Sequence, residues 1–158
     1  MSYQEGTIDG VVFRPLKPHA DPRGWLIELV RDDELPGEHR PAMLYLSLTL
    51  PGVARGPHEH RQQADLFAFV GPGDFKLYLW DSRRDSPTYH HKQTAVVGES
   101  NRQAVLVPPG VVHAYQNVSG AAGLVLNAPN RLYGGWGRSE PVDEIRHEDV
   151  PDTPYRLD

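Results

Sequence analysis

Two stretches of this chain limit its fold most: "QADLFAFVGPGDFKLYLWDSR" (63–83) and "QAVLVPPGVVHAYQNV" (103–118). Each is a short apolar run, a turn of glycine and proline, and a second apolar run. Proline in the turn stops a helix from running through, and Gly-Pro-Gly and Pro-Pro-Gly are suited to tight reversals between strands. Side chains alternate along a strand, so Phe75, Leu77 and Leu79 share one face. The same period of two recurs in "AMLYLSLTL" (42–50). There Leu44, Leu46, Leu48 and Leu50 lie on one face, and Met43, Tyr45, Ser47 and Thr49 on the other. "DPRGWLIELVRDDELPG" (21–37) predicts a strand from Trp25 to Val30, and "AAGLVLNAP" (121–129) predicts one more. Short strands spaced by turn signals describe an all-β sandwich or barrel. The chain of 158 residues reads as one domain, 1–158, with its barrel core at about 24–130. Beyond residue 131 it becomes polar and rich in Gly and Pro. An irregular tail is expected there, with a short helix near Val142–His147.

Composition removes several function classes. No window approaches the roughly 18–20 apolar residues of a membrane helix, and "MSYQEGTIDG" lacks the basic and apolar parts of a signal peptide. The absence of cysteine excludes disulfides and thiolate metal sites, and leans towards a cytoplasmic address. A net charge of -5 argues against a general nucleic-acid binder, although a few clustered arginines can still bind phosphate. Eight histidines are dense for this length and point to chemistry.

The histidines fall into a pattern. From Gly52 the chain reads Gly-x5-His58-x-His60-x4-Asp65, and further on Pro108-x-Gly110-x2-His113-x3-Asn117. In extended chain His58 and His60 face the same way. Both blocks resemble the two signature motifs of the cupin superfamily, which implies a jelly-roll β-barrel. By that resemblance His58, His60, Asp65 and His113 surround one divalent ion. Neutral imidazoles with one carboxylate suit Fe, Mn, Ni, Zn or Cu. The bland alternative for His-x-His alone is the polar face of a sheet.

A narrower resemblance covers most of residues 12–130. "DPRGWLIELVRDDEL" (21–35), "GVARGPHEH" (52–60), "LYLWDSRRDSPTYH" (77–90) and "LVPPGVVHAYQN" (106–117) are together similar to the dTDP-4-dehydrorhamnose 3,5-epimerase family. That family's reaction acts on a 4-keto sugar nucleotide, whose C3 and C5 protons are acidified by the ketone. A base removes one, positive or hydrogen-bonding groups hold the enolate, and a proton returns from the other face. The resemblance implies His58 as the base, Arg55 as a phosphate or oxyanion ligand, and His113 in the sugar site. It places Arg23 and Glu28 against the nucleotide of a neighbouring subunit. It further implies a homodimer that exchanges N-terminal strand residues, and no required cofactor.

The chain departs from that template at definite points. His60 stands where the family usually has glutamine, Asp65 where a lysine helps hold the enolate, and Leu124 where a tyrosine acid is expected. Tyr133 or Tyr115 is then the substitute acid. Asp149 is the nearest candidate for the aspartate that normally pairs with the base. The changes at 60 and 65 that weaken the epimerase template also complete the metal set, and a bound cation can replace a missing lysine by polarising a carbonyl. Three readings follow: a nucleotide-sugar epimerase, which the more specific motifs favour; a metal-dependent cupin oxygenase or isomerase; and a sugar-nucleotide binding module without turnover. In the first His58 is a free base; in the second it is a ligand. His90 and His91, adjacent in sequence, read as surface residues, and His19, His39 and His147 as connector residues. Trp136, in "YGGWGRSE", is the aromatic best placed to close over a ligand.

Overall fold

The computed structural model describes residues 2–158. Its strands are β1 Gln4–Glu5, β2 Val12–Pro15, β3 His19–Asp21, β4 Gly24–Leu26, β5 Tyr45–Thr49, β6 Ala54–Glu59, β7 Asp65–Phe69, β8 Asp74–Asp81, β9 His91–Gly98, β10 Gln103–Val107, β11 Val111–Asn117, β12 Gly123–Asn127 and β13 Ile145–Arg146. They form a six-stranded sheet in the order β1-β9-β8-β11-β6-β13, a five-stranded sheet in the order β2-β10-β7-β12-β5, and the outlying hairpin β3-β4. Every pairing is antiparallel except β1 with β9. The expected jelly-roll barrel is the fold observed.

The Gly-Pro-Gly and Pro-Pro-Gly turns join β7 to β8 and β10 to β11 where the sequence places them, but each carries the chain from the five-stranded sheet to the six-stranded one instead of closing a hairpin. Phe67 and Phe69 of one sheet meet Phe75, Leu77, Leu79 and Tyr115 of the other, and close the space between them. The outer faces are covered as well. Tyr78 and Trp80 carry Tyr155 from the C-terminal segment, and Lys76, Tyr78 and Lys92 all bond Asp158. Burying a large apolar side chain stabilises by roughly 1.5–3 kcal/mol, so this cover holds the tail in place. Leu66, Ala68 and Leu106 receive Ile27, Leu29 and Leu35 on the other outer face.

Two local expectations change. The strand predicted from Trp25 to Val30 stops at Leu26, because the chain then leaves the hairpin to lay Ile27 and Leu29 on that outer face. No helix forms at Val142–His147: Ile145 and Arg146 pair as β13 with Glu59 and His58 of β6. The segment has no apolar stripe to support a helix, whereas the open edge of β6 offers unpaired backbone groups. A 3-10 turn lies earlier, at Trp136–Arg138. On β5 the structure decides which face is inner: the leucine face points outward. Leu44, Leu46, Leu48 and Leu50 are 63%, 56%, 53% and 59% exposed, while Ser47 and Thr49 turn inward. No helix among the described residues is long and apolar enough to cross a membrane.

Candidate active site

Between the sheets lies a cavity of about 940 Å³, and His58, His60, Arg55, Tyr45, Ser47 and Tyr115 contribute to its wall. Arg55 and His58 are three residues apart and would face opposite ways on a regular strand. A bulge in the β6–β11 pairing resolves this: His58 opposes His113 and Arg55 opposes Tyr115, so β6 carries one residue more than β11 between those pairs. Gly56 sits at the bulge with φ +84°, and a Cβ there would meet the His113 carbonyl oxygen at 2.5 Å. Only glycine suits that close approach and that backbone conformation. The Arg-Gly-Pro-His run therefore aims a cation and an imidazole into one cavity. Arg55 is steadied by Nε–H donating to Thr49 Oγ1 (2.9 Å) and an Nη donating to the Leu48 carbonyl (2.7 Å).

Behind the wall is a buried charge cluster. Asp65, 1% exposed at the start of β7, points its carboxylate across the barrel. Its Oδ1 accepts from Gln63 Nε2 and Asn127 Nδ2, both at 2.9 Å. Its Oδ2 lies 3.1 Å from His60 Nε2 and 3.2 Å from His113 Nε2. Each of these rings also has Nδ1 against a backbone carbonyl, that of Asp143 for His60 and that of Val111 for His113. A carbonyl only accepts, so both Nδ1 atoms carry their proton. Each Nε2 is then either a lone pair or the second N–H of an imidazolium. Burial lowers the His60 pKa, but the bond and charge of Asp65 outweigh it and the net shift is upward. For Asp65 burial raises the pKa, and the His113 and His60 rings overcome it, holding the carboxyl well below its usual range. His113 Nε2 lies off the line of a hydrogen bond and has no partner among the described residues.

His58 differs from its two neighbours. Its ring packs edge-on to His113, centroids 4.5 Å apart. Burial first, then the nearby His113 and His60, hold its pKa down to about 2. The ring is neutral, faces the cavity, and has no side-chain hydrogen bond among the described residues. One ring nitrogen each from His58, His60 and His113 lie within 4.8 Å of one another.

The remaining candidates fall in different places. Tyr133 and Trp136 lie on the loop after β12 and reach the cavity mouth. Tyr115 is inside, its hydroxyl 3.0 Å from Ser47 Oγ. Asp149 is not a partner of His58; it accepts from Arg146 at 2.9 Å on the exposed face. Arg23 pairs with Asp21 in the β3–β4 hairpin, and Glu28 with Arg31, both outside this chain's own cavity. Sequence reasoning missed Tyr45, Asn127 and Asp143. Asp143 anchors the turn after His60, accepting from the N–H groups of Arg61, Gln62 and Gln63 at 2.9 Å each. Tyr45 was signalled only by its place on the polar face of β5. His147, read as a connector residue, holds Glu59 Oε1 at 2.8 Å and pins the tail against β6.

Residues 5–134 match the family model of dTDP-4-dehydrorhamnose 3,5-epimerase. The chain belongs to that family. Relatives within reach of this epimerase-family chain include the probable low-salt glycan biosynthesis epimerase Agl13 of Haloferax volcanii. It is 37% identical over 127 residues, covering 80% of this chain and 81% of the relative. The spore coat polysaccharide biosynthesis protein SpsL of Bacillus subtilis is 40% identical over 109 residues, covering 69% and 71%. Among solved structures, NovW, a 4-keto-6-deoxy sugar epimerase of Streptomyces spheroides, superposes with a TM-score of 0.75 at 26% identity, covering 98% of this chain and 79% of that one. A dTDP sugar isomerase of Desulfovibrio desulfuricans superposes at 0.79 with 23% identity, covering 94% and 91%. The protein is thus an epimerase-type enzyme of sugar biosynthesis, from a family whose reaction needs no cofactor.

Proposed function

We propose that this epimerase-family enzyme inverts a carbon beside the ketone of a nucleotide-linked 4-keto-6-deoxyhexose, a dTDP-linked precursor of rhamnose being the first substrate to test. The observation that carries the reading is His58: neutral, unpartnered and open to a sugar-sized cavity beside the Arg55 guanidinium. The C–H bond next to the carbonyl breaks, His58 takes the proton, and the electron pair moves into the enolate. Because His58 is a weak base, the enolate must be strongly stabilised, and the free N–H groups of Arg55, on the same strand as His58, are a cation on the cavity wall suited to that. A pocket tyrosine, with Tyr133 the sequence candidate, returns a proton to the opposite face. The outward leucines of β5 and the remoteness of Arg23 and Glu28 from their own cavity support a homodimer in which those two residues serve the partner's nucleotide. Such substrates would place the enzyme in the cytoplasm. The test is deuterium uptake by dTDP-4-keto-6-deoxyglucose in heavy water. No uptake with tight binding of the sugar nucleotide would make the protein a binding module, and uptake undiminished in His58→Ala would remove the base.

A second reading rests on the donors behind His58. Ions such as Zn hold nitrogen and oxygen ligands at about 2.0–2.2 Å, so neighbouring ligand atoms lie about 3.0–3.5 Å apart. The Asp65 oxygen meets that spacing with both Nε2 atoms. Ligating histidines typically donate Nδ1–H to a carbonyl, as His60 and His113 do here. The orphaned His113 Nε2 fits the same set. His60, His113 and Asp65, with His58 as a fourth donor, would hold Fe, Mn, Ni or Zn. Such an ion polarises a carbonyl oxygen. His58 would then be a ligand rather than a free base. Elemental analysis of protein purified without chelator checks this: about one ion per chain, lost in Asp65→Ala, supports it, and less than a tenth per chain removes it.

A further inference from the structure

Inversion at carbon needs two groups, one on each face of the substrate, and the two sheets supply opposite walls of the cavity. His58 stands on β6 of the six-stranded sheet; Tyr45 stands on β5 of the five-stranded sheet, and both line the cavity. We propose that Tyr45 is the proton donor that faces His58 across the substrate. The assignment rests on the epimerase reading above and adds the acid to it.

The hydrogen bonds around Tyr45 determine where its proton points. Asn127 Oδ1 accepts from the Leu66 backbone N–H at 3.2 Å, which fixes the orientation of the amide. Its Nδ2 therefore faces the other way and donates to Asp65 Oδ1 at 2.9 Å and to Tyr45 Oη at 2.8 Å. An amide nitrogen only donates, so the Tyr45 oxygen is the acceptor and its own O–H is left for a ligand. At 43% exposure, Tyr45 is accessible from the cavity. Burial pushes its hydroxyl up to about 12 against the opposing pull of Asn127, so it holds a proton at neutral pH.

The other two tyrosines lack this arrangement. Tyr115 stands on β11 of the same sheet as His58, not on the opposite wall, and its hydroxyl shares a 3.0 Å hydrogen bond with Ser47 Oγ. Tyr133 is 59% exposed on a loop, held by its backbone N–H to Met43 Sδ rather than through its hydroxyl. The step balances simply. His58 gains the proton of the broken C–H bond, the Tyr45 O–H bond breaks as the new C–H bond forms on the opposite face, and water restores both groups. The phenolate left on Tyr45 keeps the Asn127 N–H, a bond that strengthens with the charge.

The experiment is Tyr45→Phe with dTDP-4-keto-6-deoxyglucose in heavy water, followed by NMR for deuterium uptake and for inversion separately. Removing a general acid lowers its step by about 10²–10⁴-fold. Inversion is expected to fall at least 100-fold, while deuterium uptake with retention, which needs only His58, stays within about five-fold of wild type. Inversion within five-fold of wild type overturns the assignment. So does loss of uptake together with inversion, since a donor acts after the C–H bond has broken. The exchange-without-inversion pattern in Tyr133→Phe, with Tyr45→Phe unaffected, overturns it too. A wild-type enzyme that neither exchanges nor inverts this substrate overturns the epimerase reading and the assignment together; an active wild type confines any failure to Tyr45.

Discussion

Two buried aspartates, Asp65 and Asp81, sit on neighbouring strands of the chain and are 1% and 0% exposed. Their surroundings have opposite purposes. Asp81, at the end of β8, faces Arg83 with two salt-bridging bonds of 2.9 Å, and its Oδ2 also takes Ser86 Oγ and Thr88 Oγ1 at 2.6 Å. Its charge is neutralised and its lone pairs are filled. Asp65 has no lysine or arginine beside it among its bonded partners; it has two amides and two imidazole Nε2 atoms. A fully satisfied carboxylate is a structural knot, whereas one compensated only by titratable rings leaves a site open to protons or ions. The Asp-x-Arg…Ser-Pro-Thr stretch, among the most specific marks of the family, therefore belongs to the knot and lies outside the cavity. A specific sequence mark can record folding rather than chemistry.

The comparison breaks most sharply at the cavity. His58→Ala should lower deuterium uptake about 10³-fold, in the range for a general base, with thermal unfolding little changed because the ring has no bonded partner to orphan. A drop of only a few-fold would detach the Asp65 cluster from catalysis. Asp65→Asn should lower kcat/KM by about 10–100-fold, the scale seen when a group that orients active histidines is lost. Asp81→Asn should do the reverse. It removes the partner of a mostly buried Arg83 and should cost about 3 kcal/mol in urea unfolding, with kcat/KM of the folded enzyme unchanged within about three-fold. Equal stability losses from the two aspartate variants would erase the distinction.

Much of this was legible in the sequence, and the remainder was hidden for physical reasons. The strands β7, β8, β10 and β11 and the turns between them were visible because alternation and a Gly/Pro turn act locally, whereas the crossing of each turn from one sheet to the other depends on distant partners and was not. The gathering of His58, His60 and His113, with Asp65 against the last two, was implied by the resemblance to the cupin motifs. The bulge at Gly56 was not, because it depends on the register of β11, a distant strand. Nor was β13, a two-residue strand formed by the open edge of β6 rather than by its own residues. Tyr45 was obscured by its own strand: alternation divides 43–50 into a leucine face and a polar face without saying which one turns inward. Only the placement of Ser47 and Thr49 inside shows that the polar face lines the cavity.

Acid sharpens the comparison further. Burial works against ionisation of Asp81, but Arg83, Ser86 and Thr88 prevail and bring its pKa down to about 2. In the unfolded chain an aspartate titrates near 3.9. Between those values the unfolded state binds the proton and the folded state does not, so the stabilisation is full above about pH 5 and is lost as pH falls through 2. It amounts to about 2 kcal/mol. Urea midpoints measured between pH 6 and pH 2.5 should fall less steeply in Asp81→Asn than in wild type. An unchanged slope would mean that the knot is not what acid undoes.

The smallest effect belongs to the rim of the knot. Thr88 Oγ1 donates to Asp81 Oδ2 and accepts from the Asp9 N–H at 2.9 Å, tying β8 to the segment before β2. Thr88→Val keeps the shape and deletes both bonds. Asp81 retains Arg83 and Ser86, and the Asp9 N–H is exposed enough to bond water, so the loss should be about 1 kcal/mol. Added to Ser86→Ala, the cost should exceed the sum of the singles, because each hydroxyl covers for the other on the same Oδ2 atom. Strict additivity in a double-mutant cycle would show two independent bonds on Asp81 in place of one cooperative knot. The contrast with Asp65 would then lie in the cation alone.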